Sequence, residues 1–306
     1  MKRFALIGLI TFFSTINSFG QINMTDSTVQ VVGYWNKNEK QLYAVTNEKY
    51  KIKGTDTTSR EFWKYDVEIT IIDSTANSYI IEWFYRNYSV DADNELIKKL
   101  SSICQDIKVI IKTNELGVFI EVINWQDIIK EIKKATSTLK DEFKNIPNMD
   151  KIIQQIENLY SSKEAIETSA ISDIQQFYTY HGGKYKLGEE INTKMQRPNL
   201  YGVKPFDADL TLWLDEINPE DNNFIIRMNQ VVDSTQLTDA AYTYLSKMTS
   251  SLGTKLPKRE EFPSLKNETR TASRIHGSGW IIYTVETKEV SAENQTNIEE
   301  RIIEIK

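Results

Sequence analysis

The sequence predicts an α+β protein in which two similar, mainly antiparallel β units are joined by a three-helix segment. Three observations carry this. Before residue 124 and after residue 184, apolar and polar residues alternate at period two, the pattern of strands with one buried face. Between those regions the period lengthens to three and four, as on one face of a helix. The landmarks Trp35, Asp66 and Tyr79 are echoed in the same order by Tyr185, Asp207 and Phe224, as an internal duplication would leave them. Generic period-two strands also give such echoes, so both readings stand at this level.

Residues 1–20 have the form of a secretory signal. Lys2 and Arg3 supply its charged start, residues 4–13 its apolar run, and Ser18 and Gly20 the small residues before a cleavage site at Gln21. No later stretch is apolar for the roughly 18 residues a membrane span needs. The expected product is exported, to the periplasm or outside the cell, with no transmembrane span in the mature chain. The single Cys104 forms no internal disulfide, which fits a bacterial envelope better than animal secretion.

The first β unit, 21–124, reads as strands at 29–35 and 41–53, a polar loop at 54–60, and a hairpin whose apolar face carries Val67, Ile69, Ile71, Ile81, Trp83 and Tyr85. A short helix follows, capped by Asp93 and bearing Leu96, Leu100, Ile103 and Cys104, and then a second hairpin. The helical segment, 125–183, has three stripes. The first holds Ile128, Ile129, Ile132, Ala135, Leu139 and Phe143 behind an Asn124 cap, and Pro147 ends it. Met149, Ile152, Ile153 and Ile156 mark the second, Ile166, Ala170, Ile174 and Phe177 the third, with Ser161 and Glu164 at capping-box spacing between them and Gly182 and Gly183 as the stop. These helices are expected to dock on the sheets, because about 55 residues alone make a small core. The second β unit, 184–306, repeats the order: strands around Leu210 and Ile225, a helix starting near Thr235 and ending at Gly253, a hairpin, and a last strand at 298–305.

Composition narrows the function classes. The chain is 40% hydrophobic and carries a net charge of −6, more acidic still without Lys2 and Arg3, which argues against nucleic acid as a partner. The two histidines, His181 and His276, lie far apart and match no metal-ligand spacing, so no metal or cofactor is expected. His181 reads as a surface or cap residue at a helix end, and the 276–279 His-Gly-Ser-Gly stretch as a hairpin turn. Ser137 and Lys140 match the SxxK pair of serine β-lactamases, yet they sit mid-helix without the companion motifs and read as solvated. No catalytic residue is assigned, and no enzymatic function is expected.

Asp-Ser/Thr-Thr triplets place Ser27, Thr57, Ser74 and Ser234 at positions resembling the O-glycosylation sites of exported Bacteroidota proteins, although the same residues also favour turns and caps. With Gly20-Gln21, Tyr34-Trp35 and Asn124-Trp125, the chain resembles uncharacterised exported proteins of Bacteroidota, a likeness that imports no activity. Duplicated sheets with a docked helix would be similar to periplasmic lipoprotein carriers of the LolA type, an analogy of architecture alone. The expected role is binding of a lipid or other apolar small molecule in a pocket beside Trp125, Ile128, Ile132, Trp83 and Met228. The alternatives are an interaction or scaffold role with an envelope protein partner, and, third, a hydrolase without a recognisable motif.

Overall fold

The structure, a computed structural model, describes residues 21–91, 94–199, 204–252 and 256–306. The expected signal at 1–20, the expected cap Asp93 and the expected stop Gly253 lie outside the described residues. A small sheet combines β1 (Ile22–Asn23), β2 (Thr28–Gln30) and β8 (Lys184–Lys186). All the other strands among the described residues join one sheet. The first half of the chain gives β3 (Lys40–Lys53), β4 (Asp56–Thr75), β5 (Ser78–Asp91), β6 (Lys108–Asn114) and β7 (Phe119–Val122). The second half gives β9 (Glu190–Arg197), β10 (Phe206–Asn218), β11 (Asn223–Val232), β12 (Leu265–His276), β13 (Ile281–Ala292) and β14 (Gln295–Ile305).

Their order, β7-β6-β5-β4-β3-β14-β13-β12-β11-β10-β9, overturns the α+β expectation of two β units. The fold is mainly antiparallel β, 49% strand against 25% helix, with a single eleven-stranded sheet and helices in the middle region of the chain. The physical reason is β14. It pairs with β13 from Gln295 to Glu304 on one side, and along its whole length with β3 on the other, from Gln295 opposite Lys53 to Ile305 opposite Tyr43. Two separate units would leave β14 and β3 as long bare edges, with a row of unpaired backbone groups on each. The strands also exceed their apolar stretches: the expected loop at 54–60 is the start of β4, and only Gly54 and Thr55 separate it from β3.

Alternation sends one residue set to the inner face: Tyr43 and Val45 from β3, Tyr65, Val67, Ile69 and Ile71 from β4, Ile81, Trp83 and Tyr85 from β5, and Val109 and Ile111 from β6, all buried. The helices cover this face. They are α1 (Glu95–Ser101), α2 (Trp125–Glu142), α3 (Met149–Leu159), the single turn α4 (Lys163–Ala165), a π-helical stretch (Ile166–Ala170), α5 (Ser172–Tyr178) and α6 (Ser234–Leu252). Asn124 begins α2 as expected but caps nothing with its side chain. Its Oδ1 accepts from the Ile110 amide at 2.8 Å and its Nδ2 donates to the Lys108 carbonyl at 2.8 Å, which ties the helix start to β6. From there α2 runs over β6 and against α3, whereas α5 reaches β13 and β14.

At one end of the sheet, Trp35 lies within 6.1 Å (ring centroids) of Tyr79, Tyr178, His181 and Trp280. The backbone there is laced by Val31 and Gly182, Gly33 and Leu116, and Tyr34 and Ser278. Gly279 has φ +84, and a Cβ on it would stand 2.4 Å from the Val32 carbonyl oxygen, so only glycine lets the two chains meet.

Candidate functional site

Beneath the helices lie two adjoining spaces. The outer one, about 690 Å³, opens between α2 and the chain that links α1 to β6; Ile103, Ile107, Ile110, Ile128, Ala135 and Leu139 form its apolar floor, and Lys99, Lys134, Asp127, Glu131 and Glu142 are among the charged groups at its rim. Its size is that of an ordinary small-molecule site. The inner one, about 160 Å³, is set among β4, β5, α5 and the π-helical stretch. Ile107 and Ile128 line both, so these two side chains form the partition.

The inner cavity is walled by four tyrosines, Tyr65, Tyr85, Tyr88 and Tyr160, by the apolar Val109, Ile166 and Ile171, and by Cys104, Asn47, Arg301 and Asp173. Tyr65 and Tyr88 stack at 4.6 Å, with Tyr85 tilted against Tyr65 at 5.7 Å. Asp173, on α5, is buried at 6% exposure. It accepts three bonds: from the Tyr65 hydroxyl at 3.0 Å, the Tyr85 hydroxyl at 3.1 Å and its own neighbour's amide, Ile174 N, at 2.9 Å. Both oxygens are thus engaged, each by a tyrosine hydroxyl. No lysine, arginine or histidine forms an ion pair with it among the described residues. Arg301 is directed elsewhere, with Nη1 on Gln176 Oε1 at 3.3 Å and Glu286 Oε1 at 3.5 Å, and Nε on Asn47 Oδ1 at 3.3 Å. The Asn47 Nδ2 group is buried with no protein partner, and it borders the cavity.

Burial, followed by the nearby Asp173 charge, pushes the Tyr65 and Tyr85 phenols well above their ordinary range, and burial raises Tyr88 and Tyr160 as well. Cys104, whose Sγ lies 3.1 Å from the Tyr160 hydroxyl, is pushed up to about 11 by burial. At neutral pH the wall thus presents phenols and a thiol, an inert surface around the Asp173 side chain. Tyr85→Phe should cost about 1–2 kcal/mol in chemical denaturation, because it strips one donor from a buried carboxylate and leaves the ring in place.

Of the residues expected to form an apolar pocket, only Ile128 lines these spaces. Trp83 is fully buried in the core against Phe177 and Tyr178, Ile132 is core at 1% exposure, and Trp125 is half-buried at the helix start. Met228 sits half-buried in β11, opposite Leu212 and Thr271. Of the triplet residues, Thr57 is exposed on β4, Ser27 and Ser74 are half-buried, and the Ser234 hydroxyl donates to the Leu265 carbonyl at 2.6 Å. Ser137 and Lys140 are exposed on α2, and Lys140 pairs with Asp150 at 2.8 Å.

His181 departs from its expected surface place. It is buried at 6% exposure inside the aromatic group around Trp35, with Nε2 2.9 Å from the Gly279 carbonyl oxygen and Nδ1 without a partner. Asp173 was missed altogether, although the signal was present: it falls on the stripe Ile166, Ala170, Asp173, Phe177, where a charge on an apolar helix face implies a buried carboxylate needing donors. Tyr65 follows from the same alternation that buries Val67 and Ile69. No known protein family matches the chain, and no curated protein resembles it in sequence beyond chance.

Proposed function

We propose that the protein is a non-catalytic binder of an apolar or amphipathic molecule, acting in the bacterial envelope after export. One observation carries this reading: a cleft of about 690 Å³ with an apolar floor adjoins an inner cavity of about 160 Å³ that ends in polar groups, and two isoleucines separate them. That geometry suits a molecule with an extended apolar part and a compact head. The chemistry of the wall agrees, since its phenols and thiol are protonated and its carboxylate is already held by three donors.

The reading is tested with N-phenyl-1-naphthylamine, whose fluorescence rises in apolar surroundings. The wild type should take it up, and Ala135→Trp, which places a large ring in the outer cleft at a half-exposed position, should weaken uptake about tenfold with an unchanged melting temperature, roughly the loss of one good contact. A wild type that takes up no probe would move the role to a protein partner.

A further inference from the structure

We propose that the inner cavity receives a cationic head group, a primary or quaternary ammonium, on Asp173 and the surrounding tyrosines, with the ligand's apolar part lying in the outer cleft. The inference rests on the reading of these spaces as a binding site and goes further by fixing the sign of the ligand's charge.

Its first ground is an imbalance. Asp173 is a buried carboxylate whose hydrogen-bond partners are all neutral. Hydroxyl and amide donors satisfy its oxygens but bring no countercharge, and a buried charge is costly until one is present. The cationic residue that lines the same cavity, Arg301, has its guanidinium engaged by Glu286, Gln176 and Asn47. The second ground is the company the carboxylate keeps. Aromatic rings attract cations through the negative face of the π system, most strongly where water is excluded. Tyr65, Tyr85, Tyr88 and Tyr160 all line this one cavity. The Tyr88 hydroxyl has no protein partner among the described residues, so it is free to meet a ligand. The third ground is size. A cavity of about 150 Å³ holds a benzene-sized guest, so the 160 Å³ here takes a trimethylammonium or aminoethyl group and not a whole amphiphile. The remainder must pass Ile107 and Ile128 into the cleft beyond. An anionic head would meet the carboxylate with the wrong sign.

The test is displacement of N-phenyl-1-naphthylamine from the full chain by three twelve-carbon compounds below their micelle concentrations: dodecyltrimethylammonium, dodecanol and dodecanoate. The cation should bind at least about tenfold more tightly than the alcohol, and dodecanoate no better than the alcohol. Asp173→Asn, which keeps the side-chain shape, should bring the cation down to the level of dodecanol while leaving dodecanol unchanged. Tyr88→Leu, at a half-buried site away from the carboxylate's own bonds, should reduce the preference several-fold and guards against a folding defect in the first variant. Equal binding of all three compounds, tighter dodecanoate, or an unchanged preference in Asp173→Asn would overturn the cation assignment while the binding site itself stands. Failure of every compound, together with no uptake of the neutral probe, would overturn both.

Discussion

Replacing Phe177 by alanine should destabilise the protein by about 3–5 kcal/mol, the usual cost of emptying a fully buried aromatic site. Phe177 is 0% exposed, and its ring meets Tyr43 and Trp83 edge-on, each at 5.3 Å, with Tyr178 at 5.0 Å and Trp280 at 6.4 Å. Those partners come from β3, β5, α5 and the residue just before β13, so the one side chain fixes a helix of two turns against both halves of the sheet. A helix of seven residues has little stability of its own and depends on such burial. Since whole domains are stable by only about 5–15 kcal/mol, the melting temperature should fall by about 10 °C. Phe177→Leu, which keeps most of the volume, should cost less than about half as much. Equal melting temperatures for the wild type and the alanine variant would show that α5 is not held by this contact.

Acid should unfold the protein through His181. Burial lowers this imidazole from 6.5 to about 4, since charging it would place an ion among aromatic rings. The unfolded chain takes up the proton below about 6.5 while the folded one refuses it until about 4. Stability is therefore full above 6.5 and is lost as the pH falls through the window between the two values, by about 3 kcal/mol in all. Urea unfolding at pH 7.5, 5.5 and 4.5 measures it. In His181→Leu the stability should be lower at pH 7.5 but nearly flat down to pH 4.5. The surface carboxylates held low by lysine hydrogen bonds, such as the half-exposed Asp73 and Glu121, lose their contribution only below the ordinary carboxylate range, so the two effects separate on the pH axis. A wild type as stable at 4.5 as at 7.5 would refute the buried neutral imidazole.

Local structure was legible in the sequence wherever periodicity decided it. The stripe from Ile128 to Leu139 is a helix, and Val67, Ile69, Ile71, Ile81 and Trp83 share a buried face, because period 3.6 and period two leave different traces. Helix starts were displaced by a residue or two. Asn94 accepts the first amides of α1 where Asp93 was expected, Ser162 caps α4 in place of Ser161, and Asp233 serves α6 in place of Thr235. Neighbouring Asp, Asn, Ser and Thr side chains offer equivalent acceptors, so sequence cannot choose among them. Whether there was one sheet or two turned on the pairing of β14 with β3, residues separated by most of the chain, for which no local pattern exists. The candidate site was hidden for a related reason. Tyr65, Asp173 and Arg301 are brought together by three distant segments, and each looked ordinary in its own surroundings.

The position of β14 has a consequence for the order in which the molecule can be made. It is the last of the described strands to leave the ribosome, yet it lies in the interior of the sheet, with five strands on each side. Until it emerges, β3 and β13 have no neighbour to bond on that side, and the sheet stays in two pieces whatever the earlier segments have achieved. Pairing it with β3 closes a loop of more than two hundred residues, an entropic cost met late and all at once. A nascent chain of this kind holds its two sheet pieces unjoined until β14 is available to both.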